Sequence, residues 1–126
     1  MRIRRFAAAL VVLGALAAAA PGATQQRERW QGIAVNRYSF GITSEHDMPS
    51  ADALQSALLN NCAANGWSCV VLATVTNCAA IAYNEQRGFN YTSSGATAQE
   101  ATQRAYAKCA NDGKYCDNDM STCPSG

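Results

Sequence analysis

The chain of 126 residues is poor in the side chains and spacings that most enzyme chemistries require. His46 is its single histidine, no Cys-x-x-Cys pair occurs, and no serine stands in a Gly-x-Ser-x-Gly or Ser-x-x-Lys setting. The missing cysteine spacing removes the thiol-exchange signature, and the missing serine settings remove the common hydrolase elbows. Structural zinc calls for four ligands, usually in close cysteine pairs with further Cys or His. Here the nearest cysteines are seven positions apart. The acidic stretch from Asp112 to Asp119, DGKYCDND, lacks the alternating ligands and final glutamate of a calcium loop. No metal and no cofactor is expected, and no catalytic residue is assigned.

Excess charge is also missing: ten Lys and Arg face nine Asp and Glu. A balance so near neutral leaves no basic footprint for nucleic acid or anionic lipid. Long apolar runs are scarce as well. The only one lies at the start, in MRIRRFAAALVVLGALAAAAPGATQQ, where Arg2, Arg4 and Arg5 precede an apolar stretch from Phe6 to Ala20 and then small residues. That order is a secretory signal peptide, and the stretch falls short of the ~20 residues that span a hydrocarbon core. Residues 1–23 are assigned to the signal, with cleavage between 19 and 23, and residues 24–126 to a single domain that is exported to the periplasm or beyond. No cysteine stands at the cleavage region to carry a lipid anchor. With the three arginines removed, seven basic residues face nine acidic ones and the mature chain is near −2. About 100 residues make one domain with a modest core.

What the chain does have is six cysteines, all in the mature part: Cys62, Cys69, Cys78, Cys109, Cys116 and Cys123. An even count in an exported chain reads as a disulfide framework. Six cysteines allow fifteen connectivities, and an internal repeat narrows them. A slide of 47 positions places Cys62 on Cys109, Cys69 on Cys116, Leu54 on Ala101, Leu58 on Ala105 and Ser50 on Thr97. With a small gap, IAVN at 33–36 falls on IAYN at 81–84, and Gly41 is matched to Gly95. The halves run about 30–76 and 77–123. In each, Ser50 or Thr97 caps a helix whose inward face carries Leu54, Ala57, Leu58 and Cys62, or Ala101, Ala105 and Cys109; Glu100 completes a capping box. Both helices stop at an Asn-Gly or Asp-Gly pair, Asn65-Gly66 and Asp112-Gly113.

A cysteine on the last inward turn of each helix can reach one at the start of the next strand. Cys62 is therefore paired with Cys69 and Cys109 with Cys116, and elimination pairs Cys78 with Cys123. The segments WQGIAVNRYSFG, WSCVVLATVT, NCAAIAYN and FNYTSSG read as strands, the middle two meeting in a tight reversal at Thr76-Asn77. The small residues Ala79, Ala80 and Ala82 imply a closely packed helix. The fold class is α+β: a largely antiparallel twisted sheet with two helices on one face, built from duplicated half-domains and held by three disulfides.

Trp30, Ile33-Ala34-Val35, Gly41, Ala53 and Leu58 before Cys62, Cys69-Val70-Val71, Cys78-Ala79-Ala80-Ile81-Ala82, Thr97 with Glu100-Ala101, Cys109, Cys116 and Cys123 together resemble the domain of unknown function 4189 family of secreted bacterial proteins. The resemblance runs from about Trp30 to Cys123, and the six-cysteine spacing is its specific part. It implies export and the fold class and carries no activity. The aromatic RGFNYTSSG before the second helix departs from the plainer glycine-rich turn that the resemblance implies.

Glu45-His46-Asp47 is the most catalytic-looking cluster, since a histidine flanked by carboxylates can act as a general base. Neighbouring loop residues point different ways, however, and a base needs an orienting partner and a nucleophile. The segment is read as an exposed polar loop. Carboxylate pairs for glycoside cleavage would come from Glu45, Asp47, Asp52, Glu85 and Glu100, their separation being a spatial matter. The large aromatics Trp30, Tyr38, Phe40, Trp67, Phe89 and Tyr91 are many for a chain whose other core positions are small; most are read as core, and those exposed beside loops would suit a partner. Trp30, Tyr38, Trp67, Phe89 and Tyr91 form the candidate binding surface. The functional expectation is a non-enzymatic module of inhibitor or immunity type that binds a protein or a cell-wall glycan. The rivals are a small cell-wall hydrolase and a structural envelope component.

Overall fold

The computed structural model describes residues 28–125, so the signal peptide expected over residues 1–23 lies outside the described residues. The elements in order are β1 (Trp30–Asn36), β2 (Ile42–Met48), α1 (Ala51–Ala64), β3 (Cys69–Val75), β4 (Cys78–Asn84), β5 (Phe89–Gly95), α2 (Ala98–Asn111) and β6 (Asn118–Thr122). Each half is strand, strand, helix, strand. Each also folds into a three-stranded antiparallel sheet with its first strand in the middle, in the orders β2-β1-β3 and β5-β4-β6.

The helices form where the capping signals lie. The Ser50 hydroxyl accepts from the Ala53 N–H at 3.0 Å and the Thr97 hydroxyl from Glu100 N–H at 3.1 Å. The Glu100 carboxylate reaches back to the N–H of Ala96, one residue before the cap. Both helices end in the same way. Gly66 and Gly113 adopt φ of 76° and 72°, a left-handed geometry that costs glycine nothing. Trp67 N–H then bonds the Cys62 carbonyl and Lys114 N–H the Cys109 carbonyl, satisfying groups a helix end otherwise leaves open.

Strand alternation sets the layers. On β1, Ala34 packs with Leu54 and Leu58 of α1, while Ile33 on the opposite face packs with Ala79 and Ile81 of β4. On β4, Ala80 and Ala82 meet Ala101, Ala105 and Cys109 of α2. Both central strands are thus covered on both faces, which requires two sheets stacked face to face with a helix on each outer side. The helices do not share one face of one sheet, as the sequence suggested; each covers its own. Of the three alanines expected beneath a helix, Ala79 instead faces the other sheet. Ile33, Leu54, Leu58 and Ile81 have no exposed surface, and burying each contributes about 1.5–3 kcal/mol.

Two further expectations are corrected. β3 and β4 do not pair as a hairpin at Thr76-Asn77; they belong to different sheets, and the two-residue link crosses between layers about 10 Å apart. Ile42–Met48 is strand β2, so Glu45-His46-Asp47 sits on a strand and not in a loop. β2 therefore matches β5, and Gly41 corresponds to Gly88 in the turn before β5 rather than to Gly95 at its end.

The disulfides join Cys62 to Cys69, Cys109 to Cys116 and Cys78 to Cys123, leaving no free cysteine. Gln31 is fully buried and fully used: its amide N–H groups donate to the carbonyls of Arg29 and Asn77, and its carbonyl accepts from Asp47 N–H. A buried amide so satisfied avoids the cost of an unpaired polar group.

Candidate functional site

Four connections gather at one end of the sheet pair: the turns Arg37–Gly41 and Glu85–Gly88, and the helix-to-strand passages Asn65–Ser68 and Asp112–Asp117. They meet because β1 and β4 both finish there, and the Phe40 and Tyr83 rings stack across the two halves at 4.9 Å. The asparagine that ends each central strand ties its own turn to its own passage. Asn36 donates to the Ser39 hydroxyl and accepts from Ser68 N–H. Asn84 donates to the Tyr115 carbonyl and accepts from Arg87 N–H. The two short disulfides close the passages just behind. Loops fixed at three points lose little freedom on binding.

Two tyrosines stand out from this frame. Tyr38 is 84% exposed and Tyr115 is 73% exposed, the most exposed large apolar side chains among the described residues. Beside Tyr115 runs an open groove of about 580 Å³ lined also by Arg87, Phe89, Lys114 and Asp117. The Lys114 ammonium lies 5.3 Å from the Phe89 ring centre, and Phe89 meets Tyr91 edge to face. A second groove, of about 220 Å³, passes Tyr38, Phe40 and Glu85.

The aromatics expected to form a surface divide. Tyr38, Trp67, Phe89 and Tyr91 lie at this end. Trp67 is half-buried against Gly41, where an added Cβ would come within 2.7 Å of its ring. Tyr91 packs on the second helix and donates to the Asp112 carboxylate, which pushes its hydroxyl above the ordinary range. Trp30 is at the opposite end, against α1, its indole N–H bonded to Glu28. Tyr115 and Asp117 were not singled out by sequence, although the repeat places them on either side of Cys116 in the passage equivalent to the one holding Trp67.

The acidic candidates are dispersed. Glu45 accepts from Asn61, Glu100 serves the helix start and Arg104, and Asp52 sits in the first turn of α1. Asp47 lies at the far end, in left-handed backbone at φ 60°. The hydroxyl and N–H of Ser125 both donate to it and hold its carboxyl below the usual range, with His46 and Arg29 assisting. That arrangement has the residue types of a serine triad but not its geometry, because the serine is bonded to the carboxylate instead of the imidazole. Glu85 alone of the five faces the turn-bearing end, where it shares a groove with Asp117.

Among the described residues no group of three or more His, Cys, Asp and Glu side chains could hold a metal ion, and no helix is long and apolar enough to cross a membrane. No curated protein and no solved structure matches the chain. The family model described as a domain of unknown function, DUF4189, matches residues 30–123, both halves and all six cysteines included, and the chain belongs to that family.

Proposed function

We propose that the protein is an exported, non-enzymatic binding module of inhibitor or immunity type, and that its turn-bearing end enters a cleft of a protein partner. The observation that carries this reading is the pair of projecting tyrosines, Tyr38 and Tyr115, on loops anchored by Asn36, Asn84 and two disulfides. Tyrosine supplies large contact area and a polar tip at low entropy cost, which is why it recurs at binding hot spots. The amino-terminal signal and the disulfides support an oxidising compartment.

The test compares the oxidised protein with a Tyr38→Ala, Tyr115→Ala double variant, both immobilised and exposed to envelope extract of the source cells. Loss of about tenfold or more in a specific retained partner, at unchanged melting temperature, supports the reading. Equal retention by both proteins overturns it. Co-sedimentation with purified peptidoglycan that depends on the same tyrosines would replace the protein partner with a glycan.

A second reading rests on Glu85 and Asp117, which line one polar groove of about 540 Å³ with Gln86 and Asn118. Two carboxylates flanking a groove are the minimal equipment for glycoside cleavage. Release of soluble peptidoglycan fragments by the protein, abolished in Glu85→Gln, would favour the hydrolase.

A further inference from the structure

The cations of the described residues fall into two groups. Arg29, Arg104 and Lys108 are each held by carbonyl or carboxylate oxygens of the chain. Arg37, Arg87 and Lys114 form no ion pair and no side-chain hydrogen bond among the described residues, and all three stand at the turn-bearing end. Arg87 and Lys114 line one groove of about 580 Å³ with Phe89, Tyr115 and Asp117. Its walls are fixed from behind. The Asn84 side chain, on a residue only 8% exposed, donates to the Tyr115 carbonyl at 3.0 Å and accepts from Arg87 N–H at 3.1 Å. Phe89 is set by its edge contact with Tyr91.

The other half shows that the fold does not require this opening. At the offset of 47, Lys114 and Tyr115 stand where the first half has Trp67 and Ser68. There the indole lies on Gly41, so closely that an added Cβ would come within 2.7 Å of the ring. In the second half the Lys114 ammonium lies 5.3 Å from the Phe89 ring centre, and the groove stays open beside it. We infer that this groove takes an acidic peptide segment of the protein partner, an Asp or Glu carboxylate meeting Arg87 and Lys114 and a neighbouring apolar side chain lying on Phe89 and Tyr115. The inference rests on the reading of this end as a protein-binding surface. Charge decides the class. Two cations against Asp117 leave the groove positive in a mature chain near −2, and a carboxylate is the partner that both cations lack. Asp117 is left to accept main-chain N–H groups, which a peptide has and a simple anion does not.

The probe is a peptide of alternating Phe and Glu with both ends blocked, titrated into isotopically labelled oxidised protein; the same peptide with Gln for Glu is the control. The acidic peptide moves the backbone amides of residues 84–89 and 113–117, saturating with a dissociation constant of about 1 mM or below. The Gln peptide binds about fivefold or more weakly. So does the acidic peptide with an Arg87→Ala, Lys114→Ala variant of unchanged melting temperature, and added salt narrows both differences. No saturable shift, shifts away from the groove, equal binding of the two peptides, or an unaffected variant would each overturn the inference. The envelope extract separates it from the reading it rests on. A partner lost by the tyrosine variant but retained in full by the Arg87→Ala, Lys114→Ala variant overturns the acidic segment and leaves the protein-binding surface standing. Saturable binding of the acidic peptide with no partner retained supports the groove and counts against the earlier reading alone.

Discussion

The side-chain amide of Gln31 donates to the carbonyl of Asn77 at 3.1 Å across 46 residues of sequence. With its bonds to Arg29 and Asp47, this residue fastens the start of β1 to the crossover between halves and to the irregular end of β2. Gln31→Ala removes three hydrogen bonds at a site with no exposed surface. Stability falls by about 2–4 kcal/mol from the unpaired groups and the cavity, measured as the shift in chemical denaturation at unchanged slope.

The disulfides should differ in their effect. Cys78 and Cys123 are 45 positions apart, the two clasps seven apart each. On the loop-entropy model the long link contributes ~4 kcal/mol and each clasp ~2.5. Replacing Cys78 and Cys123 together with alanine therefore lowers the denaturation midpoint more than replacing Cys62 and Cys69. Equal losses would show that native-state packing around the sulfurs, and not chain closure, sets their contribution.

Much of this arrangement was legible in the sequence because duplication prints each feature twice. The capped helix starts, the Asn-Gly and Asp-Gly stops and the clasp cysteines recur at a constant offset of 47, so each copy checked the other. The stacking of two sheets was not legible. CAAIAYN is small and apolar on both faces, and such a run states that it is covered twice without stating by what. Gly41 was misplaced for a related reason: ITSEHDM is polar and edge-lying, so its strand character comes from pairing with β1 and not from propensity. At the turn-bearing end, Tyr115 was not legible because exposure is a property of the folded surface.

Asp47 makes acid stability depend on Ser125. Its folded carboxyl lies below the ordinary value of 3.8, chiefly through the Ser125 hydroxyl and N–H. Folding thus favours the ionised form, and the stabilisation is complete above the unfolded value and lost as pH falls through the folded one. Asp47→Asn lowers the melting temperature near neutrality and flattens its decline between about pH 5 and about pH 2. His46→Ala changes stability by no more than about 0.5 kcal/mol and so leaves the melting temperature nearly unchanged, since the side chain is half exposed.

Gly41 guards the position of Trp67. A Cβ there would stand 2.7 Å from two ring carbons of the indole, so Gly41→Ala displaces the ring. A loss of about 1–3 kcal/mol accompanies the shift, and a red-shifted tryptophan emission, absent in a Gly41→Ala, Trp67→Leu double variant, would assign it to Trp67.

All three disulfides lie within one half or the other: Cys62–Cys69 in the first, Cys78–Cys123 and Cys109–Cys116 in the second. The peptide link through Thr76 and Asn77 is therefore the sole covalent connection between the halves. Their mutual recognition rests on Ile33, Ala79 and Ile81, on the Phe40–Tyr83 stack and on polar bonds such as Gln31 to Asn77. Nicked at that link, the protein becomes two separately oxidised fragments that hold together, or exchange with fragments of other molecules, by fit alone.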